Sequence, residues 1–182
     1  MFNFLRKKNK GTAVTDKIVL SMAAKWSHLF EQWQKDKKTI FVGWFAATVE
    51  EMQTFFNRNT DEKFFVALGS EVAFNTNAGN VYVFIEHHPL IAKEVALYQH
   101  LQLTNAIVYS SLQEPLFQQF GGDKIIQVLQ KLGIKEDELI EHTMISSAIK
   151  KAQEKIKEKV TVDFGGRSAQ EWLQHYADNI RE

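Results

Sequence analysis

The 182 residues carry 22 Lys plus Arg against 22 Asp plus Glu, with 45% hydrophobic and 24% charged residues, the usage of an ordinary globular domain large enough for a proper core and a helical appendage. Zero formal net charge gives no support for a nucleic-acid binder, which concentrates positive charge, and the absence of Cys excludes disulfides, thiolate metal sites and a Cys nucleophile. No apolar run approaches the roughly 18 residues that a membrane span needs, and no apolar h-region follows the first basic residues, so the sequence reads as cytoplasmic.

Residues 1–14 read as a flexible basic segment. Phe2, Phe4 and Leu5 precede Arg6, Lys7 and Lys8, a pattern that either frays as a terminus or makes peripheral contact with anionic lipid or a partner. A helix is expected over 16–34, capped by Thr15 or Asp16, because Ile18, Met22, Trp26, Leu29 and Trp33 fall on one stripe. Its two tryptophans suit a core face, or else a recognition surface. Residues 39–45 form a continuous apolar run, the pattern of a strand buried on both faces. Thr48 with Glu51 has capping-box spacing and opens a helix that turns Val49, Met52, Phe55 and Phe56 inward. Further strands are expected at 64–68 and 81–85, with a short one at 72–74 and turns at Gly69-Ser70 and over 75–80. A helix over 92–101 and a last strand over 106–109 complete the set. Strands alternating with helices predict an α/β domain over 15–122, a three-layer sandwich around a mostly parallel sheet.

The remainder, 123–182, reads as a helical extension packed on that domain. Asp123 is placed to cap a helix whose Ile125, Ile126, Val128, Leu129 and Leu132 face the core, with Gly133 as its left-handed stop. Phe120 and Leu132 are both expected inside. Ile145, Ile149, Ala152, Ile156 and Val160 make the apolar stripe of the next helix. Gly165-Gly166 breaks the chain, and Ser168 with Glu171 is a second capping box before a helix that buries Trp172, Tyr176 and Ile180.

The stretch 109–159 carries a string of spaced matches. Ser111-Leu112-Gln113-Glu114, Leu116, Phe120-Gly121, Lys131-Leu132-Gly133, Glu141-His142-Thr143-Met144 and Ala152-Gln153-Glu154-Lys155 stand in order. This stretch resembles the SecA preprotein translocase ATPase family, at the passage from the second nucleotide-binding domain into the helical scaffold. Fainter resemblance lies in Phe41-Val42-Gly43 with Glu50-Glu51, and in Asn80-Val81-Tyr82-Val83 with Glu86 and His88. The resemblance implies a degenerate second RecA-like motor domain, without the scaffold beyond Gly165-Gly166. It also implies a connection with preprotein export.

The motor chemistry is missing from the residues. A phosphate loop needs GxxxxGK[ST], whose backbone N–H groups wrap the phosphates, and no such string occurs in the sequence. The family's arginine-rich segment before the serine-leucine run has no counterpart, for no Arg stands between Arg58 and Arg167. Glu86, His87 and His88 form the one cluster with metal-capable ligands, at a strand's carboxyl end where α/β sheets keep their sites. Adjacent histidines on an extended chain point to opposite faces, so a turn with one buried and one exposed His competes with a ligand site. Ser110-Ser111 lacks a GxSxG elbow and suits a turn cap. The expectation is a non-catalytic, truncated SecA relative that needs no cofactor or metal and acts through a protein partner. Glu114, Glu141, His142, Met144 and Gln153 are its candidate contact surface. The alternatives are an enzyme on a small molecule at the sheet edge near Glu86 and His88, or a nucleotide-binding module without hydrolysis.

Overall fold

The computed structural model describes residues 11–72 and 80–177. The basic pattern from Phe2 to Lys8, the expected strand residues Ala73 and Phe74, the turn over 75–79 and Ile180 lie outside these. Five parallel strands, β1 (Ala13–Val19), β2 (Thr39–Gly43), β3 (Phe65–Leu68), β4 (Val81–Phe84) and β5 (Asn105–Ser111), lie in the order β1-β5-β4-β2-β3. Between them run α1 (Met22–Lys35), α2 (Ala46–Asn59), the short α3 (Gly69–Val72) and α4 (Ile91–His100). After β5 come α5 (Pro115–Gln119), α6 (Gly122–Lys131), α7 (Thr143–Lys159) and α8 (Ala169–His175).

The strand period of two sorts side chains onto the two faces. Phe41, Val83, Ile85 and Tyr109 pack against Trp26, Leu29 and Trp33 of α1 and Met52 and Phe56 of α2. Their neighbours Val42, Phe84, Ala106 and Val108 pack on the opposite face against Val72, Leu97 and Tyr98. Both tryptophans of α1 are therefore core residues. The continuous apolar runs of β2 and β4 follow from this burial on both faces. The result is a RecA-like three-layer α/β sandwich.

β1 corrects the expected helix over 16–34. Val14, Thr15, Ile18 and Val19 are β-branched and favour a strand, and seven residues pair in register with β5, from Ala13 opposite Asn105 to Val19 opposite Ser111. The helix starts only at Met22, where the Ser21 hydroxyl accepts the Ala24 N–H at 3.1 Å. Val72 closes α3 rather than opening a strand. The capping box at Thr48 is also corrected. α2 begins after Phe45 without a side-chain cap, and the Thr48 hydroxyl goes elsewhere.

The carboxyl-terminal helices cover the carboxyl ends of the strands. Ile156 of α7 and Val160 at its end, with Ala169, Trp172 and Leu173 of α8 and Tyr176 at its end, close around Phe45 and Leu116. The Ser168 hydroxyl accepts the Glu171 N–H at 3.1 Å, as its spacing predicts. α6 is a correction. It enters from Gly121 at φ 89° rather than from an Asp123 cap. Only Ile126 and Leu129 reach the small core of Ile18, Leu20, Leu112, Phe117 and Ile149. Ile125, Val128, Leu132 and Phe120 are exposed, Leu132 at 73% and Phe120 at 36%. Among the described residues this helix has a partner on one side only, so its apolar stripe is wider than the surface that receives it. No helix among the described residues is long and apolar enough to cross a membrane.

Candidate functional site

The chain leaves β2 toward β3 on one side of the sheet and leaves β4 toward β5 on the other, while β2 and β4 are neighbours. That reversal opens a crevice at the carboxyl ends of β2 and β4, where α/β sheets bind ligands. Here the crevice is filled from within. Glu86, just past β4, is buried, and its Oε1 accepts the backbone N–H groups of Trp44 at 2.8 Å and Phe45 at 3.0 Å. Its Oε2 accepts the Thr48 hydroxyl at 2.7 Å. The carboxylate thus takes the positive, amide-rich entry to α2, the place an anionic ligand group would occupy. Gly43 lets α2 approach β2 closely, because a Cβ there would stand 2.7 Å from Val49 Cγ2, whereas Glu86 Oε1, at 3.5 Å, would be in ordinary contact. Burial pushes the Glu86 carboxyl up to about 7, against the pull of the Lys25 charge and the Thr48 and Phe45 hydrogen bonds.

Beside it, Lys25 of α1 is fully buried and donates to the Ile85 carbonyl and to Glu114 Oε1, each at 2.7 Å. The same carboxylate oxygen accepts the Ser111 N–H at 2.9 Å. The Ser111 hydroxyl accepts the Gln113 N–H and donates to the Leu20 carbonyl, the turn-capping role its position suggests. A cavity of about 370 Å³ above this pair is walled by Met22, Lys25, Thr48, Glu86, Glu114 and Ala169.

His87 and His88 are both buried, which corrects the expectation of one inside and one outside. They do point apart, but the opposite side is closed by α7 and α8 rather than open to water. His87 bridges two carboxylates, Glu94 Oε1 at 2.9 Å from Nδ1 and Asp16 Oδ1 at 3.1 Å from Nε2. Burial lowers its pKa, but Glu94 and Asp16 together outweigh that and push it up to about 10. His88 stacks on Phe45 with ring centroids 5.5 Å apart and meets Trp172 edge-on. Its Nδ1 accepts the Leu90 N–H at 2.9 Å. Burial pushes it down to about 4, so it stands neutral. Among the described residues, no group of three or more His, Asp or Glu side chains could hold a metal ion.

The expected contact surface divides. Glu141, His142 and Met144 are exposed at the start of α7, Met144 at 73%. Glu114 and Gln153 are buried and belong to no surface. Glu114 neutralises Lys25, and Gln153 donates from Nε2 to the His88 carbonyl at 2.8 Å. Each satisfies a group the fold has already buried, which is why polar residues stand there. Sequence reasoning missed Asp16, Lys25, Thr48 and Glu94. The signal available was a charged residue on an otherwise apolar stripe, as Lys25 is beside Trp26.

No protein-family profile matches the chain. Part of it is closely similar to protein translocase subunits SecA. It is 53% identical over 51 residues to SecA of Ehrlichia chaffeensis, covering 28% of this chain and 6% of that protein. It is 44% identical over 63 residues to SecA of Phocaeicola vulgatus, covering 35% of this chain and 6% of that protein. With SecA 1 of Alkaliphilus metalliredigens the figures are 45% over 49 residues, 27% and 6%. The chain therefore contains a SecA-related segment, and it spans about 6% of the length of the curated relatives it matches.

Proposed function

We propose that the chain is a non-catalytic relative of the SecA motor, acting by protein contact in preprotein export or on its regulation. The observation that carries this reading is the Glu86 carboxylate seated at the entry to α2 on Trp44, Phe45 and Thr48. A phosphate entering the cavity there meets Glu86 and Glu114 on its wall and finds the Trp44 and Phe45 N–H groups and the Thr48 hydroxyl already donated to Glu86, so carboxylate repulsion and lost hydrogen bonds oppose nucleotide. The absence of GxxxxGK[ST] from these 182 residues and the SecA-related segment support the same reading. Glu86 commits both oxygens and His88 its Nδ1 to backbone and side-chain donors, which leaves little for catalysis on a small molecule.

The contact face we assign is the exposed start of α7, with Glu141, His142 and Met144, beside the outward Ile125, Val128 and Leu132 around the same small core. The test replaces surface residues only. Glu141→Lys with Met144→Asp is expected to keep the parent's melting temperature while capturing at least tenfold less SecA or translocon component in a pull-down. Undiminished capture of the same components by a folded double variant contradicts the assignment of this face. No capture of any export component by the parent contradicts the export connection.

A further inference from the structure

The cavity of about 370 Å³ above Lys25 and Glu114 has acceptors on its wall that no donor meets. Glu114 is 6% exposed, and its two hydrogen bonds, from Lys25 and from the Ser111 N–H, both fall on Oε1. Its Oε2 accepts none among the described residues, yet that oxygen is not sealed off, and the side chain keeps 8% exposure where it lines this cavity. Glu51 stands exposed on the same wall, with no hydrogen bond or ion pair among the described residues. A buried carboxylate oxygen without a donor is costly unless something in the adjoining space supplies one. The charges on the wall do not cancel either. Lys25 is matched by Glu114, and His87, which also lines the cavity, is matched by Asp16 and Glu94. Glu86 and Glu51 remain, so the space favours a cation.

We propose that this cavity binds a guanidinium group on a short alkyl stem, with Glu114 Oε2 and the Glu51 carboxylate as its acceptors. Met22, Ala47, Pro115 and Ala169 supply apolar wall for the stem. Room is sufficient, since a cavity of about 150 Å³ already accommodates benzene. A guanidinium suits the wall better than an ammonium, because it is more weakly hydrated and presents five donors in one plane. The carboxylates that oppose a phosphate here are the ones that attract this cation. Two sources carry the same chemistry, a free alkylguanidinium and the arginine side chain of a protein partner. The site makes no use of the α7 contact face, so it and the export reading can each fail without the other.

The test titrates the isotopically labelled full chain with propylguanidinium, propylurea and butyrate at low salt, following backbone amides by NMR. It is run at pH 8, above the value of about 7 to which burial pushes Glu86. Propylguanidinium is expected to shift the amides of Thr48, Glu51, Glu114 and Gln170 saturably. Propylurea, which has the same shape without the charge, and butyrate are expected to leave them in place. Glu51→Gln is expected to weaken propylguanidinium about threefold, the worth of one exposed ion pair. Gln170→Lys, which sets a cation of the chain's own on the cavity wall, is expected to weaken it at least as much. Glu154→Gln removes the same charge from the exposed side of α7 and is expected to change nothing. Glu51 and Gln170 are exposed, so both variants are expected to keep the parent's melting temperature. A capped tripeptide with arginine between two glycines separates the sources. Saturable shifts of the same amides by the peptide assign the site to a partner's arginine, whereas binding of propylguanidinium alone assigns it to a free cation. No saturable shift with propylguanidinium, equal binding of propylurea, or full affinity in Glu51→Gln overturns the proposal.

Discussion

Lys25 gives up water entirely at 0% exposure, and its nitrogen is met instead by Glu114 and the Ile85 carbonyl at 2.7 Å and by the Trp26 ring at 4.3 Å. A buried pair of this kind is worth little against an apolar replacement, but breaking one half strands the other. Lys25→Met is expected to cost about 3–5 kcal/mol, and adding Glu114→Gln is expected to recover a large part of it. Denaturant unfolding of both variants measures this, and equal losses would mean the two groups act independently. The pH response also belongs to this scale. His87 is raised to about 10 from 6.5, so its contribution is full below 6.5 and is lost as pH climbs to about 10. Glu86, raised from 4.5 to about 7, acts with the same sign between those values, while His88, lowered to about 4, acts with the opposite sign between 4 and 6.5. Above neutrality the His87 loss stands alone among these three. Melting temperature is expected to fall from pH 7 to pH 10. His87→Gln, which cannot titrate, is expected to start lower and run flat. A parent whose stability holds constant to pH 10 would show that His87 is not the charged bridge between Asp16 and Glu94.

Elements divide by how many partners they have. β2, β4, β5 and α7 were legible because burial on both faces, or on one full stripe, leaves an unambiguous apolar pattern. β1 was not, since Asp16 and Lys17 interrupt it and Ile18 happens to extend the stripe of α1. The reason for Asp16 appears only when β1 lies beside β5 and His87 arrives from 71 positions away. Glu86 and His88 were legible by position at a strand end, whereas Thr48 and Lys25 find their partners 38 and 89 positions along the chain. α6 shows the reverse error, an apolar stripe read as wholly buried when the fold covers only half of it. Phe120→Ala and Leu132→Ala are accordingly expected to change stability little, within about 0.5 kcal/mol for Leu132. Ile149→Ala, under the same helices, is expected to cost about 2–5 kcal/mol. Thermal melts separate the two sets, and a Leu132 variant as damaged as Ile149→Ala would mean that face is covered in solution.

At the scale of the whole molecule, the SecA-related segment has a double character. Some of its matched positions, Leu112, Glu114, Leu116, Ala152 and Gln153, build the core and the charged plug. Others, Glu141, His142 and Met144, face outward. The inward set explains how the sheet's carboxyl edge is sealed, with α7 and α8 closing over Phe45 and Leu116. The outward set is what a partner would meet. The proposal of a motor fold retained for contact rather than turnover depends on the seal at Glu86. NMR titration of the full chain with Mg-ATP, joined to a phosphate-release assay on the same sample, tests it most directly. The account predicts no saturable shift of the Trp44 and Phe45 amides and no phosphate release above background. Saturable shifts at those two amides, with hydrolysis that follows the purified chain, would contradict it.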